Sequence, residues 1–133
     1  MSAEKVWYID SSAIVKLVAR EPESAALRRF VRRRSPLVAS ALARTEVNRA
    51  GLALGDTYRR RAGDVLGRID LVRVNNQVLS DAGRMEPVTL RSLDAIHLAT
   101  AALFESTLSG VITYDGPIAD AARSLGWKVS SPA

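Results

Sequence analysis

Val6-Trp7-Tyr8-Ile9-Asp10-Ser11-Ser12-Ala13-Ile14-Val15-Lys16-Leu17-Val18 joins two kinds of periodicity at one acid. The apolar run Val6 to Ile9 has the length of a buried strand. Ser11 and Ser12 are good helix N-cap types, and Ala13, Ile14, Leu17 and Val18 recur at helical spacing, which predicts a helix starting at the serines. Asp10 stands between strand and helix, where a charge is out of keeping with the apolar residues before it.

Outward from this unit the alternation repeats. Glu21-Pro22 predicts the start of a helix in which Ala25, Ala26, Leu27, Phe30 and Val31 alternate with arginines, ended by Pro36. Leu37 to Ala39 reads as a strand, and Ser40 as the cap of a helix carrying Leu42, Ala43, Val47, Ala50 and Leu54 and closed by Gly55. Asp56 opens a helix to about Ile69, Leu71 to Val74 is a strand, and Asn76 starts a helix to about Met85. Ser92 caps the most apolar helix, Leu93 to about Phe104; Val111 to Tyr114 is a strand ending at Asp115. Pro117 to Leu125 is helical, and Trp127 to Val129 is a last short strand. Strands alternating with helices throughout predict the α/β class: a single α/β/α sandwich over residues 1–133, with a central, mainly parallel sheet of about five short strands.

The composition fits one folded domain, since 47% of the 133 residues are hydrophobic and 25% charged, far from the polar balance of disordered chains. The absence of cysteine excludes thiolate metal sites and cysteine nucleophiles, and the single histidine, His97, excludes a multi-histidine zinc site. Met1 to Lys5 lacks the pattern of a secretion signal, and no apolar run approaches the roughly 18 residues of a membrane span, so a soluble cytoplasmic protein with no membrane partner is expected. The net charge of +5, with sixteen arginines among nineteen basic residues, favours polyanionic partners.

In a parallel sheet, ligands bind beyond the carboxyl ends of the strands, which is where Asp10 and Asp115 fall. Each also has an ordinary reading, Asp10 as a helix cap and Asp115-Gly116-Pro117 as a turn. Glu46 lies four residues from both Leu42 and Ala50, bordering the apolar face of its helix, and Asp94 sits in a helix apolar nearly all round. Four acids set against the pattern suggest a shared pocket, and their repulsion would call for a cation. Carboxylate oxygens suit Mg²⁺, with Mn²⁺ as a substitute.

Ile9-Asp10-Ser11-Ser12-Ala13, Arg44-Thr45-Glu46-Val47, Ser92-Leu93-Asp94-Ala95-Ile96-His97-Leu98-Ala99 and Thr113-Tyr114-Asp115 resemble, in order and spacing, the motifs of PIN-domain ribonucleases, above all the VapC toxins. The resemblance covers essentially the whole chain. It implies that Asp10, Glu46, Asp94 and Asp115 are the catalytic, metal-binding acids, with Ser11 and Thr113 as supporting hydroxyls. It further implies an endoribonuclease, an RNA substrate such as a transfer or ribosomal RNA, a cognate VapB-like antitoxin, a homodimer and a toxin–antitoxin hetero-oligomer.

Other residues read as structural. His97, one helical turn after Asp94, is a packing and hydrogen-bonding residue, and Asp120 a solvent-facing charge. Arg28, Arg29, Arg32, Arg33, Arg34 and Arg59 to Arg61 fit either a phosphate-following surface or a solvated helix face. No Gly-x-x-x-x-Gly-Lys-Ser/Thr or Gly-x-Gly-x-x-Gly motif is present, and Ser12 stands where aspartyl-phosphate phosphatases carry a second aspartate. The reading from another class is a non-catalytic PIN-like RNA-binding or regulatory module.

Overall fold

Five strands, all paired in parallel, order the molecule: β1 (Val6–Ile9), β2 (Leu37–Ser40), β3 (Asp70–Val72), β4 (Leu108–Ile112) and β5 (Val129–Ser130). This computed structural model describes residues 4–133, so residues 1–3 of the segment inspected for a secretion signal lie outside the described residues. The helices are α1 (Ser11–Val18), α2 (Ser24–Arg32), α3 (Leu42–Ala50), α4 (Gly55–Leu66), α5 (Asn76–Ala82), α6 (Ser92–Ala102) and α7 (Gly116–Ser124). No helix among the described residues is long and apolar enough to cross a membrane.

Strand alternation divides the core in two. Ile9, with Trp7 beside it, packs with Ile14, Leu27, Val47 and Ala62 of α1 to α4, whereas Val6 and Tyr8 pack with Leu98 of α6 and Ile118 of α7. Helices therefore cover both faces, the α/β/α arrangement expected of apolar parallel strands. The strand order is β3-β2-β1-β4-β5. From β1 the chain builds outward through β2 and β3, then returns to β4 on the other side of β1. That reversal opens a crevice at the carboxyl ends of β1 and β4.

Several boundaries differ from the sequence expectation for identifiable reasons. Of the cap candidates Asp10, Ser11 and Ser12, it is Asp10 that caps α1: its backbone is still extended (φ −91°, ψ 175°) and its Oδ1 accepts the Ala13 N–H at 3.1 Å. Helix α2 begins at Ser24, two residues after Pro22, because Ser24 Oγ accepts the Glu21 N–H and donates to the Ala19 carbonyl, closing a turn first. Ser92 is the first residue of α6 and not its side-chain cap. Strand β4 starts at Leu108, with Tyr8 opposite Val111 and Ile9 opposite Ile112. Gly110 lies under Trp7, where a Cβ would meet the indole at 2.7 Å.

Helix α3 stops at Ala50, and a short 3₁₀ turn, Leu52–Leu54, carries the chain to Gly55, which begins α4 with φ +79° instead of closing α3. The break seats Tyr58 over Gly51, and its hydroxyl donates to the Val47 carbonyl at 2.7 Å. A Cβ on Gly51 would overlap the Tyr58 ring, which is only 6% exposed and is held by its hydroxyl to the Val47 carbonyl, so the ring would have to shift. Gly51→Ala is therefore expected to lower stability by about 1–3 kcal/mol. An unchanged urea midpoint would show that the ring is not seated there.

Candidate active site

Asp10 ends β1 at the crevice and is 1% exposed. Its Oδ1 accepts from Ser12 Oγ at 2.7 Å and from the Ala13 N–H, and its Oδ2 accepts from Thr113 Oγ1 at 2.6 Å. Burial raises its pKa against these hydrogen bonds and the His97 charge, and burial prevails, so the pKa stands above the ordinary aspartate value. A carboxylate held this way is costly to ionise without a nearby cation.

The turn after β4 supplies the facing wall. Thr113 donates to Asp10 and accepts the Asp115 N–H at 3.0 Å, while Ser12 Oγ accepts the Tyr114 N–H at 2.9 Å. Hydroxyls thus stitch the β1–α1 and β4–α7 turns together. Asp115 caps α7, its Oδ1 accepting the Ile118 N–H at 3.0 Å. The capping and site readings of Asp10 and Asp115 are compatible, because a strand's carboxyl end is also the next helix's amino end.

Glu46 approaches from α3. Its Oε1 accepts from Ser11 Oγ at 2.6 Å and lies 2.7 Å from His97 Nε2. Burial pushes its pKa up, but the bonds from His97 and Ser11 outweigh it and leave the pKa below the ordinary glutamate value. Asp94 lies in the first turn of α6, one turn before His97. Its pKa is raised by partial burial, then by the Asp115 charge and, more weakly, the Asp10 charge; the His97 and Arg91 charges oppose the rise. Asp94 therefore feels both Asp115 and Asp10, and all three acids stand at the amino end of a helix whose dipole favours negative charge.

The structure thus links Asp10 to Thr113 and Asp115, Glu46 to Ser11 and His97, and Asp94 electrostatically to Asp115 and Asp10. As the side chains stand, no three Asp, Glu or His groups among the described residues converge closely enough to hold one ion. The donor chemistry fits a hard divalent cation: oxygen ligands, a desolvated carboxylate, and an acid whose ionisation its neighbours oppose. Two cavities, of about 450 and 460 Å³, lie elsewhere, one beside Gly51 and Tyr58 and one between α2 and α4.

Asp120 is exposed and pairs with Arg123 at 3.5 Å, as expected of a solvent-facing charge. Arg28, Arg29, Arg32 and Arg33 are exposed on α2 and its end, and Arg59 and Arg60 on α4. Sequence reasoning missed Ser12 as a ligand of Asp10 and Tyr8 as a partner of His97, whose Nδ1 is 2.6 Å from the Tyr8 hydroxyl. The available signal for Tyr8 was a phenol in an otherwise apolar strand, since a buried phenol needs a partner.

A family model described as PIN domain matches residues 7–124. The chain is 53% identical over 125 residues to Ribonuclease VapC46 of Mycobacterium tuberculosis (strain ATCC 25618 / H37Rv), covering 94% of this chain and 96% of that protein. It is 35% identical over 130 residues to Ribonuclease VapC47 of Mycobacterium tuberculosis (strain CDC 1551 / Oshkosh), again over 94% and 96% of the two chains. Among solved structures it resembles Mycobacterium tuberculosis VapC20, a sarcin-ricin loop cleaving toxin, with TM-score 0.72 at 14% identity over 95% of this chain and 99% of that one. It also resembles a chain of a toxin–antitoxin complex from Klebsiella pneumoniae, with TM-score 0.70 at 19% identity over 95% and 97%. At these identities the structural likeness speaks for the fold alone.

Proposed function

The chain belongs to the PIN-domain family, and from that membership we propose that it is a metal-dependent endoribonuclease, the toxin of a toxin–antitoxin pair, with Asp10, Glu46, Asp94 and Asp115 holding the metal. The observation that carries the reading is the buried, desolvated Asp10 carboxylate at the crevice between β1 and β4, with Asp94 repelled by both Asp115 and Asp10.

The reaction is hydrolysis of an RNA phosphodiester bond. When bound, Mg²⁺, or Mn²⁺ in its place, supplies Lewis-acid stabilisation of the charge building on the phosphoryl oxygens and makes a water nucleophilic near neutral pH. The chain's residues prepare that site. Thr113, Ser12 and the Ala13 N–H orient Asp10, Ser11 and His97 orient Glu46, and Asp115 is fixed by capping α7. One of the carboxylates also accepts the proton of the attacking water. The net charge of +5 assists the approach of RNA.

The target is a structured RNA such as a transfer or ribosomal RNA, in keeping with relatives named ribonucleases. Purified protein incubated with total RNA should cleave it with Mg²⁺ or Mn²⁺ and not with EDTA; cleavage that ignores EDTA would overturn the metal requirement.

The toxin reading adds a cognate VapB-like antitoxin and a second copy of this chain in a hetero-oligomer. An antitoxin segment bringing a basic side chain to the acids and acidic ones to the arginines would compete with both metal and RNA. Expression of this chain alone should slow growth, and co-expression with the protein encoded beside it should restore growth and yield a co-purifying complex. Harmless expression of an active nuclease with no binding neighbour would remove the toxin assignment.

A further inference from the structure

The one histidine of the chain lies in a buried hydrogen-bond chain that reaches the acids from behind. The Ser40 N–H, at the end of β2, donates to the Tyr8 hydroxyl at 3.1 Å. That hydroxyl lies 2.6 Å from His97 Nδ1, and His97 Nε2 lies 2.7 Å from Glu46 Oε1. Tyr8 is 1% exposed and His97 2%, so water does not compete for the bond between them, while Glu46 at the far end of the chain is partly exposed. The two rings meet edge to face, with centroids 5.9 Å apart and planes at 76°.

Donor counting fixes the direction of the chain. The Tyr8 oxygen already accepts the Ser40 N–H, and the acceptor at hand for its own proton, among the described residues, is His97 Nδ1. In the neutral ring Nδ1 is then unprotonated, the proton sits on Nε2, and Nε2 donates to Glu46. Ser11 Oγ donates to the same oxygen, so both bonds fall on Oε1 and leave Oε2 free of them.

We propose that Tyr8 and His97 are positioning residues: Tyr8 selects the His97 tautomer carrying its proton on Nε2, and His97 with Ser11 pins Glu46 Oε1 so that Oε2 is presented to the metal. The proposal rests on the reading of Glu46 as a metal ligand. It extends the site to residues from β1 and α6, and it assigns His97 a role in metal affinity without contact to metal or RNA, as outer-shell partners of ligands have.

Two measurements test it. Because His97 is the only histidine, its ring ¹⁵N resonances need no assignment among competitors. At neutral pH without metal, wild type should show one tautomer, protonated on Nε2, and Tyr8→Phe should admit the Nδ1-protonated form. A wild-type ring protonated on Nδ1, or a tautomer unmoved by Tyr8→Phe, would overturn the lock.

Mn²⁺ affinity, read by electron paramagnetic resonance, tests the consequence. His97→Asn, whose amide cannot reach Glu46, should weaken Mn²⁺ binding by about 10- to 100-fold. His97→Gln places an amide nitrogen near the Nε2 position and should recover most of the loss, which a purely structural role for the ring would not predict. Equal affinity in wild type and His97→Asn would overturn the positioning role. If wild type itself bound no Mn²⁺, the metal-nuclease reading and the ligand role of Glu46 would both fall, and the ¹⁵N result alone would decide the tautomer lock.

Discussion

Asp94→Asn should yield a folded protein whose cleavage of RNA is slower by about 100- to 1000-fold, the scale of losing one electrostatic contribution aimed at the transition state. The substitution is nearly isosteric. Asp94 is half-buried in the first turn of α6, and the forces favouring its ionised form are attractions from His97 and Arg91, with no hydrogen bond among them. Removing the charge forfeits about 0.3–1 kcal/mol of helix-dipole interaction, offset by relief of repulsion from Asp115 and Asp10. Stability should therefore change little while activity collapses, and single-turnover cleavage beside a melting curve separates the two. Activity surviving unchanged would remove Asp94 from the site.

The second large effect is on stability and reverses with metal. Asp10 and Asp94 have folded-state pKa values raised above their ordinary ones, so the metal-free protein binds more protons folded than unfolded in that window. By linkage its stability should rise as pH falls from the raised values toward the ordinary carboxylate range. Glu46, with a lowered pKa, contributes the opposite trend, lost as pH falls through its depressed value. Mn²⁺ at about 100 times its Kd should add about 2.7 kcal/mol to wild type, with less gain at low pH, where protons compete for the carboxylates. Asp10→Asn should forfeit most of that gain. A melting response to Mn²⁺ identical in Asp10→Asn and wild type would show that the ion binds elsewhere.

The elements legible in the sequence are those whose signals are local. Val6 to Ile9 followed by Asp10 gave strand, acid and helix in one reading, and the acids stood out because each interrupts an apolar pattern. Legibility failed where another segment decides. Leu108-Ser109-Gly110 makes a poor strand by propensity, yet it is the start of β4, because β1 lies beside it and Gly110 admits the Trp7 ring. Tyr8 and His97 are 89 positions apart, and only the packing of α6 on β1 brings them to 2.6 Å. Asp10 was legible as a helix cap beside Ser11 and Ser12, and the choice among the three depends on the chain remaining extended through Asp10, whose N–H bonds the Ile112 carbonyl at 3.2 Å.

The most direct test is a crystal structure of the protein grown with Mn²⁺, with anomalous scattering recorded to place the ion. An anomalous peak at about 2.1 Å from carboxylate oxygens of Asp10 and at least one of Glu46, Asp94 and Asp115 is the predicted result. A fully occupied Mn²⁺ bound away from these acids, or none at concentrations that support RNA cleavage, would contradict the assignment of the four carboxylates as the metal site.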